Sequence, residues 1–179
     1  VLGMDSSKRN EKFYGKHSYE FANSLLNLSL LYYLQENLAL AIKYAKEVEG
    51  IYSKIDVPNS NYTTLYDLCA SILYDMDDLE SSLVYRIKEV SYIETEMGTN
   101  INMQSLCSAY YSLAKIYYRK ADNKKALEYA NKALPISNAI NDHSMNVSIM
   151  IHQSKCYDEL GQLTKAVSLS KEALTLIDN

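Results

Sequence analysis

The sequence has no tryptophan, 2 prolines and 5 glycines among its 179 residues. So few reversal residues argue against an all-β fold, which needs many short turns. The glycines (Gly3, Gly15, Gly50, Gly98 and Gly161) stand alone, so no glycine-rich phosphate loop is present. No apolar run approaches the roughly 18 residues of a membrane span. The longest, Leu25 to Leu34, is broken by Asn27 and Ser29. Neither sign of charge dominates, with Lys and Arg totalling 18 and Asp and Glu 22. A net charge of -4 predicts no direct binding to nucleic acid and no attraction to an anionic membrane, and without a spanning run no membrane insertion is expected.

Cysteine is equally sparse, with 3 residues and no C-x-x-C pair. Cys69, Cys107 and Cys156 fall within helical patterns, where a thiol acts as a small buried hydrophobe, and thiols without a framework favour a reducing compartment. The 3 histidines, His17, His143 and His152, have no carboxylate or cysteine at ligand spacing, so no metal site and no cofactor are expected. No nucleophile with its base can be assembled, and the acidic groups Asp75/Asp77/Asp78 and Glu94/Glu96 sit at helix ends as caps or solvated turns. The chain is therefore read as a non-enzyme.

What is present is repetition. Tyr110, Tyr111, Leu113, Ala114 and Tyr117 are followed by Ala126, Ala130 and Ala133. The frame recurs upstream as Leu25, Leu28, Ser29 and Tyr32, then Ala41, Ala45 and Val48. Downstream it reads Met150, Gln153, Ser154 and Tyr157, then Gly161, Ala166, Ser170 and Ala173. A degenerate copy holds Tyr66, Cys69, Ala70 and Leu73, then Ser82 and Arg86. The small residues at 41, 82, 126 and 166 are spaced 41, 44 and 40 apart, a period in the helical-solenoid range.

This pattern resembles the tetratricopeptide repeat, W-x2-L-G-x2-Y then A-x3-F, over residues 18 to 179, without its tryptophan and its helix B aromatic. The long period is similar to the repeats of bacterial sensor and helix-turn-helix regulator proteins and of kinesin light chain. The resemblance implies an all-α, right-handed α-solenoid of about four helix-turn-helix pairs. The repeats are expected over 18–57, 58–98, 99–141 and 142–179, in a single superhelical domain. Residues 1–17, with Lys8, Arg9, Lys12 and Lys16, read as a leader or the end of a preceding repeat. Helix A of each pair is expected near 18–35, 60–76, 101–120 and 143–160, and helix B near 38–55, 79–97, 123–140 and 163–177. The family's helix-ending proline is replaced by Ser53, Glu94, Asn138 and Asp178, which predicts B helices about one and a half turns longer. Pro135 either kinks its helix or ends it early.

In this family the A helices line a concave groove that holds the partner. Carried onto this chain, the groove positions give Asn23, Asn27, Leu30 and Tyr33, then Thr64, Asp67, Ser71, Tyr74 and Asp75. The third repeat gives Ser108, Tyr111, Lys115, Tyr118 and Arg119, and the fourth Ser148, His152, Lys155 and Glu159. Tyr33, Tyr74, Tyr111 and Tyr118 form an expected aromatic stripe, offering contact area at low entropic cost. With 17 tyrosines in the chain, many must also simply fill space between helices. Lys115, Arg119 and Lys155 form an expected basic patch facing Asp67 and Asp75, a polarity that would orient a peptide. Leu26 and Leu30 stand where chaperone-binding relatives carry the Lys and Asn of a carboxylate clamp, so chaperone C-termini are disfavoured.

The start at Val1 points to a processed form or a piece of something longer. At the other end Leu169, Leu176 and Ile177 are left without a polar cap, which points to a removed element or to two copies packing end to end. The expected function is a protein- or peptide-binding module, the sensor or interaction region of a larger bacterial regulatory protein. The alternative is a structural scaffold that self-associates through its end surfaces, as a homodimer through the uncapped C-terminal helix. The expected location is cytoplasmic, or alternatively the periplasmic sensor region of a membrane-anchored regulator.

Overall fold

A computed structural model of the chain describes residues 2–95 and 102–177. The described residues form helices and turns with no strand, in the order α1 (Leu2–Tyr14), α2 (Tyr19–Leu34), α3 (Leu38–Tyr52), α4 (Asn59–Asp75), α5 (Leu79–Thr95), α6 (Met103–Arg119), α7 (Asn123–Ala139), α8 (His143–Glu159) and α9 (Leu163–Ile177). The chain divides into two compact units, Val1–Tyr92 and Ile93–Asn179. The helix pairs fall where the repeats place them. Glu96, Gly98, Asp178 and the expected start of a helix A at 101 lie outside the described residues.

Each pair is closed by the same short turn. Glu36, Asp77, Ala121 and Gly161 take the left-handed conformation, with φ of 60°, 65°, 59° and 72°. In the first pair the Asn37 N–H donates to the Tyr32 carbonyl and the Glu36 N–H to Tyr33, both at 2.9 Å. The other three turns repeat this double closure, the Schellman arrangement that satisfies a helix's last carbonyls. The residue after the left-handed one then starts the next helix. The side chains of Asn37, Asp78 and Asp122 accept from the N–H groups of Leu40, Ser81 and Lys125. One residue thus ends helix A and caps helix B, leaving no slack in the connection.

The two helices of a pair cross at a pair of small residues. Ser29 faces Ala41, Ala70 faces Ser82, and Ser154 faces Ala166; Ala114 and Ala126 hold the matching positions in the third pair. The three serines each donate across the crossing, Ser29 Oγ to the Ala41 carbonyl at 2.8 Å, Ser82 Oγ to Ala70 and Ser154 Oγ to Ala166, both at 2.7 Å. A larger side chain at any of these positions would force the helices apart.

Large side chains fill the remaining space. In the first unit Phe21, Leu25, Val48, Ile51, Tyr52, Leu65 and Cys69 make a buried cluster. Tyr62 packs there against the rings of Tyr52, Tyr66 and Tyr92 at 5.1–5.7 Å. In the second unit Ile149 of α8 sits among Cys107, Ala114, Ala130 and Ala133 of α6 and α7. Residues 2–14, read from sequence as a leader or a preceding repeat's end, form α1, whose Asn10 bonds Ser24 Oγ of α2.

One expectation is corrected and one open alternative is decided. The B helices do not gain one and a half turns from the missing prolines. Helix α3 stops at Tyr52 with Ser53 as its cap, and α7 passes its slot at Asn138 by a single residue. The long period is shared by both helices of a pair, 17 residues each in α4, α6 and α8 and likewise in α5 and α7, and by connections such as 53–58. Nor does Pro135 end its helix early, since α7 continues to Ala139. Pro135 is exposed, so the ring and the lost N–H face solvent rather than the core.

The turns give a paired stability test. Ala121 at φ 59° carries the left-handed cost that glycine escapes, so Ala121→Gly should stabilise by about 0.5–1 kcal/mol. Gly161→Ala should destabilise by about 1 kcal/mol, and purely through conformation, since an added Cβ there meets nothing within 4 Å. Thermal unfolding reads both, and changes of the same sign would refute the turn's role.

Candidate binding faces of the A helices

In the first unit, α2 and α4 carry the expected residues, and two of them are brought together through a third that the sequence left unassigned. Arg86 of α5 donates through Nη1 to Asp67 Oδ1 at 2.6 Å and through Nη2 to Ser71 Oγ at 3.3 Å. The same guanidinium holds Glu89 one turn along α5. Arg86 and Glu89 are each 3% exposed, which makes them a buried ion pair. They occupy the helix B positions held elsewhere by Ala45 and Val48, by Ala130 and Ala133, and by Ser170 and Ala173. The copy that reads as degenerate is therefore one in which two core slots have been replaced by opposite charges. That substitution of paired slots three residues apart was the signal available in the sequence.

The electrostatics follow from burial. Loss of solvation pushes the Glu89 carboxyl up from an ordinary value of 4.5 to about 7, helped by Asp67 and opposed by Arg86. Next to this cluster the Tyr33 hydroxyl donates to Asp75 Oδ2 at 2.6 Å. Burial, then that bond, pushes the phenol up to about 12. The acidic end expected from Asp67 and Asp75 is thus engaged within its own unit. Tyr74 is half-buried and Asn27 exposed, while half-buried Asn23 bonds the Tyr19 hydroxyl, outside the Arg86 cluster.

In the second unit, α6 and α8 bring Tyr111, Lys115, Tyr118 and His152 together. The His152 ring lies edge-on to Tyr111 at 5.7 Å and to Tyr118 at 5.1 Å. The Tyr111 hydroxyl donates to the Ser148 carbonyl at 3.2 Å, and Lys115 Nζ stands 5.2 Å over the Tyr111 ring. His152 is 8% exposed, so it forms the floor of this face rather than its surface, and its buried Nε2 has no partner. Burial lowers its pKa, against a hydrogen bond with the Ala114 backbone and assisted by Lys155 and Lys115. The ring is accordingly neutral at pH 7. Arg119 and Lys155 are exposed on the same two helices.

The thiols have no reactive character. Cys69 is fully buried and its thiol is pushed up to about 12, that of Cys156 to about 11. Among the described residues no group of three or more metal-ligating side chains occurs, and no helix is long and apolar enough to cross a membrane.

The family model of the tetratricopeptide repeat matches residues 105–179, and the fold of the described residues is the all-α, solenoid-type fold of tetratricopeptide-like repeats. No curated protein matches the sequence significantly. Among solved structures, BtubC from P. vanneervenii superposes with a TM-score of 0.81 at 18% identity, over 89% of this chain and 64% of that one. A signal transduction ATPase with numerous domains that carries a tetratricopeptide repeat sensor, from Pyrococcus horikoshii, gives 0.81 at 20% identity, over 97% and 26%. A Rap protein complexed with competence and sporulation factor gives 0.69 at 17%, over 89% and 43%. The chain thus spans less than two thirds of each of these proteins.

The buried pair predicts a pH dependence. Below about pH 4.5 Glu89 is protonated whether the chain is folded or not; between there and about 7 the folded state holds the proton more tightly. Stability contributed by this group is therefore full at low pH and lost as pH rises to 7. Between pH 5 and 7.5 the melting temperature of wild type should fall by more than that of Glu89→Gln. Parallel curves for the two proteins would show that Glu89 does not titrate in this range.

Proposed function

We propose that this chain is a protein- or peptide-binding module and forms the sensor or interaction region of a larger bacterial regulatory protein. The observation that carries the reading is the α6–α8 face, where Tyr111, with Lys115 over its ring, and Tyr118 flank the His152 imidazole, whose buried Nε2 has no partner. Such a face offers two aromatic walls, a cation and a buried acceptor. A peptide laid along it would gain aromatic contact and a charged anchor. The proposed contact set is Asn23, Asn27, Tyr33, Asp67, Ser71 and Tyr74 in the first unit. In the second it is Tyr111, Lys115, Tyr118, Arg119, His152 and Lys155. The regulatory half of the proposal draws on the neighbours, one described as carrying a repeat sensor and one bound to a sporulation factor. The three unpaired thiols favour a reducing, cytoplasmic setting.

Capture from an extract of the source cells tests the face. The Tyr111→Ala/Lys115→Ala protein should recover its main partner at least roughly tenfold less well than wild type while keeping its helicity, as expected when an aromatic anchor and its cation are removed. Equal recovery of every partner would remove the assignment.

A further inference from the structure

The second unit contains its own template for a further contact. Helices α6 and α8 start 40 residues apart, as do α7 and α9, so each residue of the α6–α7 pair has a counterpart 40 positions later in α8–α9. The α6–α7 pair receives α8, which presents Met145 and Ile149 to it. His152 of α8 meets Tyr118, and Gln153 Nε2 donates to Asn131 Oδ1 at 2.7 Å. The receiving positions Ala114, Tyr118, Ala130, Asn131 and Leu134 correspond to Ser154, Asp158, Ser170, Lys171 and Leu174. All five counterparts line one groove of about 440 Å3 between α8 and α9.

The groove keeps the template's shape and apolar character but not its cover. Val167 and Leu174 are 52% and 57% exposed, whereas their counterparts are 8% exposed at Leu127 and half-buried at Leu134. Its polar chemistry differs at two points. Asp158 stands where Tyr118 meets the imidazole of the seated helix, and Lys171 where Asn131 meets its amide.

We infer that the α8–α9 groove seats an amphipathic helix of a partner protein in the way α6–α7 seats α8. Its surface continues an interface already formed one repeat earlier, and its two charges specify the occupant. The partner helix carries apolar residues at i and i+4, in the places of Met145 and Ile149. It carries a basic residue at i+7, facing Asp158, and an acidic one at i+8, facing Lys171. Small Ser154 and Ser170 leave room for close approach, as Ala114 and Ala130 do. Lys155 borders both this groove and the α6–α8 face, but Asp158, Lys171 and Leu174, the positions tested below, lie outside the contact set proposed for that face.

The test uses the full chain and two synthetic helical peptides with leucine at i and i+4. One carries Arg at i+7 and Glu at i+8, and the other carries them exchanged. Titration calorimetry should show the Arg–Glu peptide binding roughly tenfold more tightly than the exchanged one, the scale of two partly exposed ion pairs. Leu174→Asp should abolish binding with the helical circular dichroism unchanged, because that side chain is largely exposed. The Asp158→Lys/Lys171→Glu protein should prefer the exchanged peptide. Equal affinities, no saturable binding, or binding indifferent to Leu174→Asp would overturn the inference. So would a concentration-dependent dimer that Leu174→Asp abolishes, since a second copy would then occupy the groove.

Discussion

Everything in each helix pair depends on how closely its two helices can cross. The crossing is set by residues no larger than serine, and the serine hydroxyl does more than fit. Ser29, Ser82 and Ser154 each donate to a carbonyl of the facing helix, so the contact is both narrow and directional. Its polarity is interchangeable: Ser29 and Ser154 lie on helix A, Ser82 on helix B. The third pair does without the bond, with alanine on both sides. What is common is volume, and the hydroxyl adds a fixed orientation. Beyond those small residues the two helices of a pair leave room for rings, and Tyr32 stacks on Tyr44 in the first pair and Tyr117 on Tyr129 in the third.

That hierarchy explains why the fold was legible in the sequence. The small residues recur at a measurable period, and the turn residues between them are polar, so helix positions follow to within a few residues. Helix lengths were less legible. The missing prolines suggested extended B helices, but a helix ends where its carbonyls find other partners, and Ser53 supplies that end at α3. At Pro135 an exposed position let the helix absorb a residue that a buried one would have excluded.

The candidate site was legible in its residue types and only partly in its geometry. Repeat position placed Tyr111, Lys115, Tyr118 and His152 on neighbouring helices, and they do meet. It could not show that His152 lies beneath the tyrosines, since depth depends on how α8 settles on α6. Arg86 and Glu89 escaped because the repeat reading treats departures from the pattern as decay. In a close-packed stack a charge at an alanine slot must be answered from within. Asp67 and Ser71, expected to await a partner, already provide part of that answer.

The buried cysteines have a consequence of their own. Cys69, Cys107 and Cys156 lie in α4, α6 and α8, each 1% exposed or less. Stacked repeats open locally and from their ends, with each unit's stability set by its own packing and its neighbours'. A thiol sealed into each of three successive repeats is a natural clock for that opening, because alkylation must wait for the helix around it to loosen. The relative labelling rates of the three sulfurs would rank the repeats by local stability without altering a residue.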